Sequence, residues 1–106
     1  MKQLRIIARP SKIDDIMQTL RKADVGGSTL SSVRGEGRAE PPLVGDTYSL
    51  EQVLVVVNDK KVKEVFDKVS NVACTGQKGD GKIFVTDIVD ALDICTKKTG
   101  NEAIFQ

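Results

Sequence analysis

The residues with the clearest chemical potential lie between Thr75 and Val85, in the segment TGQKGDGKIFV. Three glycines in this segment would let the backbone bend tightly and turn its amides toward an anion. Lys82 would add a positive point charge. The segment therefore predicts a phosphate-binding loop, although a plain glycine-rich turn before a strand has the same composition.

The general template nearest to this segment is the P-loop, G-x-x-x-x-G-K-[ST], whose spacing Gly76 to Lys82 satisfies. Ile83 stands where the template requires a hydroxyl to ligate Mg²⁺. A P-loop also opens a helix, whereas the β-branched and aromatic run Ile83–Thr86 predicts a strand. Phosphate binding therefore remains a prediction, and hydrolysis of the P-loop type does not.

Length and composition bound the class of protein. A chain of 106 residues predicts a single domain, residues 1–106, with a small core. A net charge of +1, with three Phe, one Tyr and no Trp, argues against a nucleic-acid-binding protein. No apolar run approaches a transmembrane length and the charged N-terminus is unlike a signal peptide, so a cytoplasmic protein that is not itself a membrane protein is expected.

Cysteine and histidine chemistry is sparse. Cys74 and Cys95 do not make a disulfide framework and are predicted to be small, partly buried thiols in a reducing compartment. Cys74 adjoins the glycine-rich loop, which leaves redox modulation open. The chain has no histidine, the usual general base and zinc ligand, so no catalytic residue and no metal site are predicted.

The elements before the loop begin with a strand and a helix. Alternating apolar residues in Leu4–Ala8 predict a buried strand. Ser11 is predicted to cap the following helix, with Asp14 as its capping-box partner. Ser28–Arg34 predicts a weaker second strand. The apolar stripe of the helix is predicted to consist of Ile13, Ile16, Met17 and Leu20.

A second strand-helix-strand unit follows an irregular segment. Gly35–Ser49 contains three glycines and two prolines, and it predicts a loop of the length that is more often functional than connective. Val53–Val57 predicts a central strand, and Asn58 with Asp59 is expected to cap the next helix. Lys82–Thr86 predicts the last strand, and the tail Asp87–Gln106 is expected to begin with a short helix. The apolar face of the second helix is predicted to consist of Val62, Val65, Phe66, Val69 and Val72.

This order of elements predicts an α+β fold, a ferredoxin-like βαββαβ sandwich with an antiparallel sheet. The fold hosts many functions, so it indicates no activity by itself. The strands carry more aliphatic surface than two short helices can cover, which predicts that neighbouring copies bury the rest in a closed cyclic assembly.

The loop and its neighbours resemble a known family. TGQKGDGKIFV resembles the C-terminal signature of the P-II nitrogen-regulatory signalling family. The segments IIARPSKIDDIMQTL and VRGEGR and the tail TGNEAI are similar to the same family, so the resemblance covers nearly the whole chain. It implies a homotrimer of ferredoxin-like subunits with three clefts between subunits, each of which binds an adenine nucleotide (ATP or ADP).

The resemblance also implies an output and a set of binding residues. Gly35–Ser49 would be a short T-loop, which changes shape with the ligand and docks on a regulated partner such as a membrane transporter or a metabolic enzyme. Lys98 would stand in for phosphate-gripping arginines that this tail lacks. The other positions that match the family's nucleotide site are Ile7, Gly27, Thr29, Gly35, Gly37, Arg38, Val56, Gly79, Asp80, Gly81 and Lys82.

Two departures from the family pattern concern a second ligand. Ala39 replaces the glutamine with which the family holds Mg²⁺ and 2-oxoglutarate, so a role for Mg²⁺ stays open. Leu50 stands where the family has a basic residue that contacts 2-oxoglutarate. We therefore expect that 2-oxoglutarate neither binds tightly nor changes nucleotide affinity.

The residues and the resemblance together favour a cytoplasmic P-II-like signalling protein, not an enzyme, that binds an adenine nucleotide between subunits. The alternative is a ferredoxin-like trimer without nucleotide sensing, acting as a structural or metal-tolerance module. A slow ATPase is a third interpretation. The complete GDGK sequence favours the first, the absence of histidine weakens the metal version, and the loop has no water-activating base beside it.

Overall fold

The structure is a computed structural model that describes residues 1–36 and 48–104. Single turns of 3₁₀ helix, Pro10–Lys12 and Asp59–Lys61, precede the two longer helices. The element order confirms the predicted β-α-β-β-α-β arrangement. In chain order the elements are β1 (Lys2–Ala8), α1 (Ile13–Lys22), β2 (Thr29–Gly35), β3 (Tyr48–Val57), α2 (Val62–Ala73), β4 (Gly81–Asp87) and α3 (Asn101–Ile104).

The four strands form one sheet in the order β2-β3-β1-β4, and every neighbouring pair is antiparallel. This order is the ferredoxin-like one, so the predicted α+β fold is confirmed. The apolar run Val53–Val57 lies in β3, which is central as predicted. The edge strands are β2 and β4, and β4 is the strand that follows the glycine-rich loop.

The core lies between one face of the sheet and the two helices. Alternate residues of β1 and β3 point to this face because successive side chains of a strand alternate in direction. Each such Leu, Ile or Val side chain adds about 1.5–3 kcal/mol by leaving water. Among the described residues no polar or charged residue is buried, so the core is aliphatic. Its main members are Leu4, Ile6, Ala8, Ile16, Leu20, Val53, Val55, Val57, Val65 and Val69.

The two helices begin differently from one another. Asn58 accepts a hydrogen bond from the Lys60 amide at 3.0 Å, which confirms the predicted cap. The predicted Ser11 cap is wrong, because Ser11 lies inside the 3₁₀ turn and no side chain caps either that turn or α1. Pro10 explains the difference, since its fixed φ suits the first helical position and starts the turn at Arg9.

The apolar stripe of α2 is narrower than predicted. Val65 and Val69 are buried, and Val62 and Val72 pack against the core, whereas Phe66 is 38% exposed. Phe66 follows Val65 directly, so it points about 100° away around the helix axis and lies at the flank of the stripe. Phe66 is therefore not a core residue.

The loop predicted for Gly35–Ser49 is shorter at both ends. Strand pairing joins Arg34 with Ser49 and Gly35 with Tyr48, so both ends of that range belong to strands. The ladder of antiparallel hydrogen bonds satisfies these backbone groups whatever the strand preference of glycine or serine is. Residues 37–47 of the predicted loop lie outside the described residues.

The tail and the cysteines also differ from the predictions. Asp87 is the last residue of β4, and the short helix comes at the end of the tail, so a helix at its beginning is wrong. At the beginning of the tail, the Ile88 amide donates to the Met1 carbonyl and the Ala91 amide to the Asp90 side chain, so neither is free for a helix. Further along, the Asp93 carboxylate accepts bonds from the amides of Cys95 and Thr96 and favours a turn. Both cysteines are exposed rather than partly buried. No helix in the ranges 1–36 and 48–104 is long and apolar enough to cross a membrane.

Candidate functional site

The glycine-rich loop folds around the carboxylate of Asp80. The amides of Thr75 and Gly76 donate to its Oδ2 atom at 2.7 and 3.2 Å, and the Thr75 hydroxyl donates to Oδ1. Asp80 therefore draws the end of α2 and the start of β4 into one compact turn. Because its oxygens accept bonds within the loop, the Asp80 carboxylate holds the loop in shape, and an ionised carboxylate has no donor for a phosphate.

Arg9, directly after β1, ties the loop to the sheet. Its Nε atom donates to Asp80 Oδ1 at 3.1 Å, and its Nη2 atom donates to the Lys78 carbonyl at 2.6 Å. The side chains of this ion pair are 33% and 19% exposed. Bonds from the Thr75 hydroxyl and amide, followed by the Arg9 guanidinium, hold the pKa of Asp80 well below its usual range. Asp80 is therefore an anion at neutral pH.

Gly81 brings the loop against β1. Its φ is +115°, and a Cβ atom on it would lie 1.9 Å from the carbonyl oxygen of Ile7. Real atoms do not approach this closely, so only glycine fits. Gly76 and Gly79 also have positive φ, at 81° and 90°. The three glycines of the motif therefore allow the backbone dihedral angles that the loop requires.

The loop leaves anion-binding groups available. The amides of Lys78 and Gly79 have no hydrogen-bond partner among the described residues, and Lys82 is exposed and outside every ion pair found there. Backbone amides in a glycine-rich turn together with a lysine form a site suited to phosphate. The loop therefore offers hydrogen-bond donors and a positive charge to an anion.

The strand residues of the predicted site share the sheet face opposite to the helices. In β1 and β3 the buried residues alternate with Ile7 and Val56, which are half-buried. Lys82 pairs with Ile7, and Thr29 pairs with Leu54, which places both on this same face. The open face is therefore the surface on which the predicted base-binding and phosphate-binding residues lie.

The pairing also separates these residues into two groups. Ile7 and Lys82 face one another across β1 and β4, beside the glycine-rich loop. Val56 pairs with Gln3, which is four residues from Ile7 along β1 or ~13 Å at the rise of a strand. Thr29 lies on the far edge strand, three strand spacings or ~14 Å across the sheet from the strand of Lys82. Gly27 precedes Thr29 and belongs to this second group.

The β2–β3 hairpin projects beyond the sheet at the end that carries the glycine-rich loop. The pairing of β1 with β3 stops at Ala8 opposite Glu51, whereas β2 and β3 continue to Gly35 opposite Tyr48. Gly35 therefore lies at the loop end of the sheet. The predicted site residues Gly37 and Arg38 follow it and lie outside the described residues.

The tail residue of the predicted site stands apart. Lys98 is exposed, and its carbonyl accepts a bond from the Asp93 amide at 2.9 Å within the tail's own turn. No hydrogen bond or ion pair among residues 1–36 and 48–104 joins Lys98 to the glycine-rich loop. Within one chain, Lys98 therefore makes no bond to the predicted phosphate end.

Two residues that bond Asp80 are not among the site residues predicted from the sequence. Arg9 lies 71 residues from Asp80, so the sequence gives no sign of their pairing. Thr75 lies five residues before Asp80, and Thr and Asp side chains commonly bond nearby amides in turns, which could have indicated it.

The helix-facing side of the same region contains an open cavity of about 270 Å³. Its walls include the apolar residues Val69, Ala73 and Ile83. Ile7, Asp80 and Lys82 of the predicted site also line it, so this largely apolar cavity adjoins the glycine-rich loop. No group of three or more His, Cys, Asp or Glu within the described ranges could hold a metal ion.

Comparison with known proteins decides the family. The family model described as Nitrogen regulatory protein P-II matches residues 1–98. The chain belongs to the P-II family. This confirms the resemblance of TGQKGDGKIFV and its neighbouring segments, and it agrees with the observed sheet order. P-II proteins are signalling regulators, and membership of the family supports a P-II signalling role for this chain.

Individual P-II relatives match over nearly the full length. Nitrogen regulatory protein P-II of Nostoc punctiforme is 37% identical over 112 aligned positions, covering 98% of this chain and 100% of that protein. The nitrogen fixation nifHD region GlnB-like protein 1 of Methanothermococcus thermolithotrophicus is 38% identical, covering 94% and 99%. Nitrogen regulatory protein GlnK2 of Haloferax mediterranei is 33% identical, covering 98% and 91%.

Proposed function

We propose that this chain is a cytoplasmic P-II signalling protein that binds an adenine nucleotide, ATP or ADP, and regulates a protein partner. The observation that supports the proposal is the glycine-rich loop, where the amides of Lys78 and Gly79 and the side chain of Lys82 are available to an anion at the edge of the open sheet face. The protein would signal through occupancy and not through turnover. Residues 1–106 would act as one P-II domain.

The phosphates would bind at the loop. The amides of Lys78 and Gly79 and the ammonium group of Lys82 supply donors and positive charge. The one carboxylate inside the loop, Asp80, is balanced by Arg9 at 3.1 Å, so it repels a phosphate less than a free carboxylate would. The charge of the loop therefore favours an anion.

The adenine and ribose would bind against the apolar part of the open face, between copies. Ile7 and Val56 offer aliphatic surface, and Thr29 offers a hydroxyl. Because Thr29 and Lys82 lie on opposite edge strands, a cleft between two copies would join the Lys82 group of one to the Thr29 group of the next. A closed homotrimer, as the resemblance implies, would form three such clefts, and Lys98 would reach the phosphates across them.

The output would be the T-loop that the β2–β3 hairpin carries. The hairpin projects at the end where the phosphates would bind, so occupancy of the loop and the conformation of the T-loop would share one region. A ligand that favours one conformation shifts the population toward it and biases docking on the partner. A membrane transporter or a metabolic enzyme is the proposed class of partner.

The test is calorimetric titration of the purified protein with ATP and with ADP, with and without Mg²⁺. Lys82→Ala should weaken binding about 10- to 150-fold, since a charged hydrogen bond contributes roughly 1.5–3 kcal/mol. The matched control is Lys60→Ala, which removes the same charge from an exposed position on the turn before α2. Equal affinity of wild type and Lys82→Ala would refute the phosphate site.

The same titration tests the second ligand. Leu50 carries no charge, and Arg9 is already engaged by Asp80 and the Lys78 carbonyl. Neither position therefore offers a free cation to a dicarboxylate bound beside ATP, whose charge must be balanced. We propose that millimolar 2-oxoglutarate leaves the nucleotide affinity unchanged, and a tenfold shift in that affinity would refute this.

A further inference from the structure

We propose that Arg9 and Asp80 form a lock that sets the orientation of the phosphate-binding amides, so that Arg9 is a positioning residue and not a phosphate ligand. The lock consists of Arg9, the Asp80 carboxylate, the Lys78 carbonyl and the Thr75 side chain. This inference rests on the proposed nucleotide function and deepens it by assigning a role to a residue outside the predicted site.

The first argument is the geometry of one peptide unit. The Lys78 carbonyl and the Gly79 amide belong to the same planar trans peptide, so they point in opposite directions. Arg9 Nη2 donates to that carbonyl at 2.6 Å, which turns the carbonyl toward the end of β1. The Gly79 amide must then point away from Arg9, and it has no partner among the residues that the structure describes. The bond from Arg9 therefore fixes the direction of a phosphate donor.

The second argument is that the lock anchors the loop on both sides of this peptide. Arg9 holds Lys78 through its carbonyl and Asp80 through its carboxylate, at 2.6 and 3.1 Å. Asp80 in turn accepts from the amides of Thr75 and Gly76. Gly79 has φ of 90°, and a Cβ atom there would lie 3.4 Å from Arg9 Nη2, so the guanidinium packs closely under the loop. A loop with freely rotating glycines is thereby given one conformation.

The third argument separates positioning from direct binding. Two of the guanidinium nitrogens of Arg9 are occupied by the loop, and the pair is two-thirds or more shielded from solvent. A lysine could keep the charge but has no planar fork to bond a carboxylate and a carbonyl at once. Arg9→Lys therefore removes the lock and leaves the field of the charge largely in place.

Asp80→Asn separates the two mechanisms, because they predict changes of opposite sign in ATP affinity. If the loop acted only through its electric field, removal of a negative charge beside the phosphates would strengthen ATP binding. If the lock orients the amides, the same change weakens ATP binding, because an amide cannot accept all of the bonds from Thr75, Gly76 and Arg9. The two mechanisms therefore predict opposite changes in affinity for one variant.

The experiment titrates the full-length wild type, Arg9→Lys, Asp80→Asn and the double variant with ATP and with adenosine. We expect each single variant to bind ATP about tenfold more weakly or worse, in line with the loss of a charged hydrogen bond. Adenosine, which has no phosphate, should bind all four proteins equally. The double variant should be no weaker than the weaker single variant, because both changes break the same network. Lys60→Ala is the control for charge alone.

Protection of the backbone amides against hydrogen exchange gives a second measurement that does not depend on affinity. The Thr75 and Gly76 amides should exchange faster in both single variants, while amides of β1 and β3 keep their protection. Unchanged ATP affinity in Arg9→Lys, or stronger ATP binding by Asp80→Asn, would overturn the lock while the proposed function stands. Equal losses for ATP and adenosine would also overturn it. Failure of the wild type to bind ATP would overturn both.

Discussion

The backbone at Gly81 has no room for a side chain. A Cβ atom would lie 1.9 Å from the Ile7 carbonyl oxygen, on a residue whose φ is +115°. Gly81→Ala must therefore either push β4 away from β1 or break the pairing of Gly81 with Ala8. We expect a loss of more than about 2 kcal/mol in the free energy of unfolding, measured by urea denaturation, because steric overlap adds to the strain of the dihedral angle.

Gly76→Ala is the matched control for Gly81→Ala. Gly76 also has positive φ, at 81°, but nothing lies within 4 Å of its Cβ position. Its cost should be the dihedral strain alone, about 1–2 kcal/mol. If the two variants lost equal stability, the contact with Ile7 would have no role of its own.

Asp80 also predicts how stability depends on pH. Its pKa is depressed in the folded state, chiefly by bonds from Thr75, and an unfolded aspartate has a pKa of about 3.9. A group with a depressed folded pKa stabilises the protein above its unfolded pKa, and this contribution is lost as the pH falls toward the folded value. The difference in unfolding free energy between wild type and Asp80→Asn should thus be constant from pH 7 to about pH 5 and shrink below about pH 4. Urea denaturation across that range measures it, and a difference that does not change down to pH 3 would contradict the assignment.

At the scale of single residues, the sequence predicts the properties of a side chain better than it predicts which residues that side chain bonds. The glycines of TGQKGDGKIFV predict the tight backbone path that the structure shows, because conformational freedom is a property of the residue itself. Phosphate binding by this loop stays a prediction. The role of Arg9 could not be predicted in this way. Its partners lie 69 and 71 residues away, and only the antiparallel pairing of β1 with β4 brings them together.

Among the elements, the two helices that cover the sheet provide a direct comparison of capping. Asn58 accepts a bond from the Lys60 amide, so Asn58→Ala should lower the free energy of unfolding by about 1 kcal/mol. Ser11 is exposed and makes no capping bond, so Ser11→Ala should leave stability unchanged. Thermal unfolding of the two variants beside wild type measures the difference. A loss in Ser11→Ala equal to that in Asn58→Ala would contradict the assignment of the caps.

Sequence periodicity predicts which residues form the core, but it does not predict where the helices and strands begin and end. Alternation in Leu4–Ala8 and the helical spacing of Ile16 and Leu20 predict the core correctly, because burial on one face selects these patterns. The hairpin extends to Gly35 and Tyr48, which no local preference indicates, because the bonds of a partner strand stabilise residues of low strand preference. The position of the tail's helix depends likewise on a turn around Asp93.

For the whole molecule, we expect copies of the chain to contact one another through the open face of the sheet. Phe84 lies on this face opposite Arg5, whose guanidinium carbon is 5.8 Å from the ring centroid, and it is 46% exposed in one copy. Phe84→Asp should therefore leave the monomer folded and prevent the closed assembly that we propose. Light scattering on a sizing column should show trimers for wild type and monomers for the variant.

The control for assembly is Phe66→Asp. Phe66 is 38% exposed but lies on α2, in the layer on the other side of the sheet. This variant should keep the mass of wild type. Loss of assembly in both variants, or in neither, would show that the open face is not the contact between copies.

The division of the open face into two groups has a genetic consequence. If a nucleotide lies between copies, a chain with a damaged Lys82 and a chain with a damaged Thr29 can complement one another in a mixed ring, since one cleft then joins an intact half from each. If the nucleotide lies along the face of a single chain, no mixture of the two mutant chains restores binding. The two mutant chains, each unable to bind nucleotide when alone, would be co-expressed. Nucleotide binding by the mixed rings would then show that two copies share one ligand. One restored cleft in each mixed ring would be the sign of a site that belongs to the assembly and to no single gene product.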